Sequence, residues 1–301
     1  MPLTFLINSG SGFFSVDDPE PRRRRVESAI RRRDGDARIL WIDPEDLADA
    51  AARAVADGEG PLVAGGGDGT VNLVAAKMAG GDRPMGVLPL GTFNFIAGDL
   101  GMPLSPEAAV DAVFDGTPAS VDMGEVNGRL FLHNVSLGIH SAAVQMREQY
   151  QRRLGVNKAA AVAYTLLRAI LRPPMLAGYI HARDKAEFIR ASFVFIGVNR
   201  FDTAPFAFVR RKTLDDGILS VFYAHQMEPE NLLKMAFRTL LSRRIKDVPD
   251  LECLLTEMMT LRSRKHKVKV VADGEIVPLR SPLVCRVRPG HLRAILPPRA
   301  A

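Results

Sequence analysis

The chain has 301 residues, 47% of them apolar, enough for one large domain or two of ordinary size around a substantial core, which excludes a disordered or fibrous protein. Lys and Arg number 40 against 34 Asp and Glu, and the net charge of +6 favours anionic partners such as nucleic acid, phosphorylated ligands or acidic lipid headgroups without choosing among them. Two cysteines, Cys253 and Cys285, are too few to staple a fold of this size, and the opening MPLTFLINSG reaches glycine before a signal-peptide apolar core could form, so a reducing, cytoplasmic setting is expected.

The first 120 residues alternate short apolar runs with helix-like segments. Strands are expected at Leu3 to Ile7, Ala37 to Ile42, Pro61 to Gly65 and Met85 to Leu90, each followed by a helix, and this rhythm favours a parallel sheet covered on both faces. Ligands of such sheets collect at the carboxyl ends of the strands, where INSGSG, GGGDGT and LGT stand. From about Val121 the texture turns β-branched and aromatic, with strands expected at Phe131 to Ile139, Ala191 to Val198, Ile218 to Ala224, Val268 to Asp273 and Val284 to Pro289. Helical insertions are expected at Ser141 to Leu171 and Pro229 to Leu241. The stretch Ala159 to Leu171 is interrupted by Arg168 and closed by Pro173 and Pro174, short of the roughly 20 apolar residues of a spanning helix, so any membrane contact is expected to be peripheral.

Gly65, Gly66, Gly67, Asp68, Gly69 and Thr70 lie between a strand and a helix. Glycines there let backbone N–H groups approach a phosphate with no Cβ in the way, and the helix N-terminus adds partial positive charge. A carboxylate beside bound phosphate calls for an intervening metal or proton, and the plainer use of Asp68 is a helix N-cap. There is no GxxxxGK[ST], no GxGxxG placed as a dinucleotide loop and no protein-kinase signature. No His pairs with a His or Cys at zinc-ligand spacing, and Ser9, Ser11 and Ser136 lack the GxSxG setting of a hydrolase nucleophile.

GGDGT after a strand, with Asn72 following, resembles the catalytic-domain family of diacylglycerol kinases and their bacterial lipid-kinase relatives, within a superfamily that includes sphingosine, ceramide and NAD kinases. The likeness continues in INSGSG (Asn8, Ser9, Gly10, Ser11, Gly12), where the usual NP reads NS, and in LPLGTFNFIAGDLGMP (Leu88 to Pro103), which carries Gly91, Thr92 and Asn94 and has phenylalanines where many members place an acid or a histidine. LDDGILSV (Leu214 to Val221) and ADGE (Ala272 to Glu275) complete the ordered set. The expected fold class is an α/β N-terminal domain, residues 1–120, with a parallel Rossmann-like sheet, and a mainly antiparallel β-sandwich lipid-substrate domain, residues 121–301, with a nucleotide cleft between them. A return of the C-terminal tail to the first domain is left open.

The resemblance implies an ATP-dependent, magnesium-requiring transferase of lipid metabolism and phospholipid biosynthesis that phosphorylates a hydroxyl of diacylglycerol or a related lipid. It implies Glu275 as general base and Asp68 as support for magnesium and ATP, with nucleotide held by Asn8 to Gly12, Gly66, Gly67, Gly69, Thr70, Asn72 and Thr92. From its residues alone, Glu275 is more often a solvated turn acid. In the bacterial branch a structural magnesium sits on the acid before the DG glycine, which carries over to Asp216 with the carbonyls of Thr213 and Ile218 and with Asp215 beside them. Oxygen ligands of this kind suit a hard cation, although an Asp-Gly turn needs no metal. Transfer to a soluble acceptor such as NAD and a non-catalytic nucleotide- or lipid-binding regulator are the alternatives.

Arg22 to Arg25 and Arg31 to Arg33 fall on one helix and could form a positive face. A solvated face is its usual use, and the functional options are an anionic membrane, ATP phosphates or nucleic acid. With one Trp and four Tyr, stacking platforms for nucleic acid are scarce, so the inner face of the membrane is favoured and no nucleic acid is expected. The insertion bearing Arg147, Arg152, Arg153 and Lys158 suits either a bilayer interface or packing on its own domain. Arg210, Arg211 and Lys212 stand ready for headgroup charge. ATP, a lipid and a homodimer complete the expected partners.

Overall fold

A computed structural model describes residues 3–58, 60–138, 175–183, 185–201, 211–225 and 251–298. Both helical insertions and Arg210 lie outside these residues. The chain divides into two units, residues 1–123 with 289–301, and residues 124–288.

In the first unit, TFLIN forms β1 (Thr4–Asn8) with Phe5, Leu6 and Ile7 buried. It pairs in parallel with β2 (Arg38–Ile42) and β3 (Leu62–Gly66), which pairs in parallel with β4 (Met85–Pro89). Every residue of β3 and β4 is buried, as expected of parallel strands covered on both faces. The cover consists of α1 (Glu20–Arg33), α2 (Leu47–Ala56), α3 (Asp68–Met78), a short α4 (Phe95–Asp99) and α5 (Pro106–Asp115), with α1 against α5 and α2 against α3. Ser105 starts α5 by accepting the N–H of Ala108 on its hydroxyl at 3.2 Å, while Pro106 fills the first turn.

Six of the seven arginines in the two runs of α1 are engaged within the unit, and Arg24 stays exposed. Glu107, Asp111 and Asp115 recur every four residues along α5 and so share one helical face. Arg25 bonds Glu107, Arg32 reaches Asp111 at 3.8 Å, and Arg33 pairs with both Asp111 and Asp115. Arg23 lies over Trp41 at 5.3 Å and Arg22 over Phe13 at 5.1 Å, while Arg31 donates to the carbonyls of Gly35 and Ala37. Hydrogen bonds from Arg25 hold the Glu107 carboxyl below its ordinary pKa, and Arg33 does the same for Asp115.

The second unit is built of antiparallel strands, fed by β5 (Thr117–Val126), which starts in the first unit. After β6 (Arg129–Phe131) come β7 (Asn134–Gly138), β8 (Leu176–Ala182), β9 (Lys185–Val198), β10 (Leu219–His225), β11 (Leu251–Thr256), β12 (Met258–Ser263), β13 (Lys267–Ala272), β14 (Glu275–Arg280) and β15 (Leu283–Leu296). The order β14-β13-β7-β9-β8-β12-β15 runs without a break, with β10 joined to β9 and β11 to β10. Inward residues such as Val135, Ile180, Ile196, Leu261, Val270 and Cys285 form one apolar core, the alternation expected of half-buried strands.

The single strand expected over Phe131 to Ile139 is broken. The N–H groups of Leu132, His133 and Asn134 all turn to one carboxylate, Asp273, at 2.6, 2.9 and 2.9 Å, so β6 ends at Phe131 and β7 starts only at Asn134. The last part of β15 belongs to the first unit, where Ala294 pairs with Met85 of β4 and the carbonyl of His291 accepts the N–H of Gly80 at 2.7 Å. No helix among the described residues is long and apolar enough to cross a membrane.

Candidate active site

Three loops meet at the carboxyl ends of β1, β3 and β4, all within the first unit. The side chain of Asn8 joins the first two: its Nδ2 donates to Thr70 Oγ1 at 2.9 Å, and its Oδ1 accepts the N–H of Gly10 at 2.9 Å. The Phe13 N–H reaches the carbonyl of Leu90 at 2.8 Å, and a Cβ on Gly12 would stand 2.8 Å from Thr92 Oγ1. The Leu90 N–H closes on Gly66 O at 2.9 Å. A Cβ on Gly91 would overlap the Cα of Gly67, so only glycine admits this approach of two backbones. Asn94, at φ 53°, clasps the loop by accepting the Gly91 N–H at 2.8 Å and donating to the Gly91 carbonyl at 3.0 Å.

Of the residues expected to hold nucleotide, Asn8, Gly10, Ser11, Gly12, Gly66, Gly67, Asp68, Gly69, Thr70 and Thr92 lie on these loops and the first turn of α3, and Asn72 lies one turn further along. Ser9 turns aside: its hydroxyl bonds Asp43 and its N–H bonds the carbonyl of Ile42, which ties the loop to β2. Asp68 does not cap its own helix. Gly67 holds that position with no side-chain hydrogen bond, while Asp68 Oδ1 accepts the N–H of Ile96 at the start of α4, at 2.9 Å.

This arrangement fits a phosphate-bearing ligand. The N-terminus of an 11-residue helix has no side-chain cap, its approach is lined by glycine backbone, and Ser11 Oγ and Asn72 Oδ1 are buried with no hydrogen-bond partner. Asp68 makes a single side-chain hydrogen bond and keeps lone pairs for a hard cation beside the phosphates.

In the second unit Glu275 opens β14, half exposed, with Oε2 at 2.6 Å from a guanidinium nitrogen of Arg129. Arg129 enters the site from 146 positions away, and nothing in the sequence marked it. Glu275 stands just after a turn in which Asp273 and Gly274 both have positive φ, 44° and 88°. The buried Asp273 fixes that turn through its three N–H donors. Burial is the largest influence on its carboxyl and pushes the pKa up, while the three N–H bonds pull it back.

The loop before β10 carries the expected metal residues. Asp216 Oδ2 and Thr213 Oγ1 are buried without hydrogen-bond partners, and the carbonyl of Ile218 accepts the N–H of Asn199 at 2.8 Å, which leaves one lone pair. A buried carboxylate oxygen without a hydrogen-bond partner suits a hard cation such as Mg2+ or Ca2+. Among the described residues no three His, Cys, Asp or Glu side chains cluster as a metal site, so any cation here would rest on carbonyls for most of its ligands.

Residues 2–126 match the model of the diacylglycerol kinase catalytic domain. A protein of Pseudomonas aeruginosa strain PAO1 described as "Probable lipid kinase YegS-like" is 35% identical over 190 residues, 61% of this chain and 60% of the relative. A protein of the same description from Serratia proteamaculans strain 568 is 37% identical over 135 residues, 44% of each chain. The chain thus spans less than two thirds of the length of the curated relatives it matches. A solved structure of a diacylglycerol kinase from Bacillus anthracis str. Sterne shares the fold, with a TM-score of 0.71 over 100% of this chain and 98% of that one at 16% identity.

Proposed function

We propose that this chain, whose residues 2–126 belong to the diacylglycerol kinase catalytic-domain family, transfers the γ-phosphoryl group of ATP to the hydroxyl of diacylglycerol or a related lipid. The observation that carries the proposal is the cluster of three glycine-bearing loops over an uncapped helix N-terminus. Phosphoryl transfer asks mainly for charge neutralisation and alignment, which bare backbone N–H groups supply without reorganising.

In this reading the N–H groups of Gly67, Asp68 and Gly69 bind phosphate oxygens, and the Asn8–Thr70 bond holds the first loop against them. Asp68 holds magnesium, which when bound supplies charge neutralisation at the phosphates. Glu275 takes the proton from the lipid hydroxyl, with Arg129 fixing the direction of its carboxylate. Asp216, Thr213 and Ile218 hold a second, structural magnesium. Residues 1–123 with 289–301 are assigned to nucleotide and residues 124–288 to the lipid, and the setting is the cytoplasmic face of a membrane. The lipid class comes from the names of the relatives and the oxygen-rich chemistry from the site itself.

The test incubates purified protein with γ-labelled ATP, magnesium and a panel of dispersed lipids that includes diacylglycerol, with NAD as a soluble acceptor. Label in the organic phase is the expected result. Label in NADP alone, or no transfer to any acceptor while ATP still binds, overturns the proposal.

A further inference from the structure

In the second unit, strands β9, β8, β12 and β15 lie side by side, and their alternation sends Ile180, Ile189, Leu261 and Cys285 into the core. The opposite face is not the polar surface that a half-solvated antiparallel sheet normally shows. Tyr179 stands opposite Phe188 on one neighbour and Arg262 on the other. Met258 stands opposite Arg286, and Thr260 opposite Val284. Met258 is 56% exposed and Tyr179 49%, with Phe188 and Val284 also in solvent. Single exposed apolar residues are ordinary, but here four share one face of adjoining strands, Tyr179 beside Phe188 and Val284 near Met258, with Thr260 and Arg262 between them, and form a mixed apolar and basic patch.

The patch is rimmed by cations. Arg190, Arg262, Arg264 and Arg286 are exposed on it, and Lys265 in the turn from β12 to β13 and Lys267 at the start of β13 are exposed beyond them. Glu125 of β5 pairs with Arg286 and Arg288, whereas Arg262, Arg264, Lys265 and Lys267 have no ion-pair partner among the described residues.

We propose that this face docks on an anionic lipid bilayer. Basic residues drawn to acidic headgroups, with aromatic and aliphatic side chains between them entering the headgroup boundary, are the composition of interfacial contact. A second copy of the chain is disfavoured, because a two-fold contact would set these arginines against their own equivalents. Nucleic acid is disfavoured because stacking rings are few and Phe188 is already engaged: Arg264 lies over it at 5.6 Å, and Tyr179 meets it at 61°. The proposal deepens the lipid-kinase reading and rests on it for its biological use, since the substrate of a lipid kinase stays in the membrane.

The test is flotation of the full chain with phosphatidylcholine vesicles made with and without phosphatidylglycerol, across a salt series. Binding only to the anionic vesicles, weakening as salt rises, is expected. The double variants R262E/R264E and K265E/K267E, each checked for an unchanged thermal midpoint, should bind about 25-fold or more weakly. Both should keep phosphoryl transfer to short-chain diacylglycerol in detergent micelles, where no bilayer is needed. If well-folded variants bind vesicles like the parent chain, or if the patch instead binds single-stranded oligonucleotide and the variants lose that, the docking proposal falls. Loss of vesicle binding in the variants with no transfer by the parent chain in micelles supports the docking face and strikes the kinase reading alone.

Discussion

Replacing Asp273 by asparagine tests how the second unit holds Glu275. The carboxylate takes the N–H groups of His133 and Asn134 on Oδ1 and that of Leu132 on Oδ2. All three partners are donors. An amide has one acceptor oxygen, so it keeps two bonds at neutral strength and points its own N–H2 at the Leu132 N–H. Two charge-assisted bonds weakened by about 1 kcal/mol each, plus a buried N–H left unpaired at about 1–3 kcal/mol, sum to about 3–5 kcal/mol. Removing a buried charge, whose desolvation already pushes the Asp273 pKa up, returns part of this, so the expected loss is about 2–4 kcal/mol. Urea unfolding gives the stability change, and hydrogen exchange at Leu132, His133 and Asn134 localises it. The variant should also turn over more slowly, since Glu275 follows the turn that Asp273 fixes. A stability change under about 0.5 kcal/mol with unchanged protection of those three amides would show that the carboxylate does not hold the turn.

Gly91→Ala places a Cβ on the Cα of Gly67, forces the two loops apart, and should weaken ATP binding at least about tenfold with a stability loss of about 1–3 kcal/mol, read by nucleotide titration and thermal melting. Glu125→Ala leaves Arg286 and Arg288 facing each other at the surface, and solvent screening limits the expected loss to about 1–2 kcal/mol in urea unfolding. The contact of α1 with α5 should weaken in acid. Arg25 and Arg33 depress the pKa values of Glu107 and Asp115, so this stabilisation is complete above the ordinary values of 4.5 and 3.8 and is lost as pH falls through the lower folded values. Amide exchange along α1 should therefore rise in acid and in high salt, and exchange that responds to neither would remove the ion pairs from the packing.

What could be read from the residues was local. The four parallel strands and their glycine loops were legible because continuous apolar runs and turn residues declare themselves within a few positions, as with Leu62–Gly66 leading into GDGT. The rest depended on partners far along the chain. Arg129 meets Glu275 across 146 positions and Leu132 meets Asp273 across 141, so neither the ion pair nor the break in the strand after Phe131 leaves a periodic trace. The arginines of α1 resembled a solvated or membrane-facing stripe until α5 supplied acids at matching spacing. On the outer face of β8 and β12, Tyr179 and Arg262 become neighbours only through strand register.

The most direct measurement is the turnover of Glu275→Gln set beside its ATP affinity. Glutamine keeps the size of the side chain and its reach to Arg129 but cannot take a proton. Lipid phosphorylation should fall by about 10²–10⁴ while the ATP dissociation constant stays within about twofold. A variant that phosphorylates lipid at the parent rate would take the proton-accepting role from Glu275, and with it the assignment of the DGE turn to catalysis.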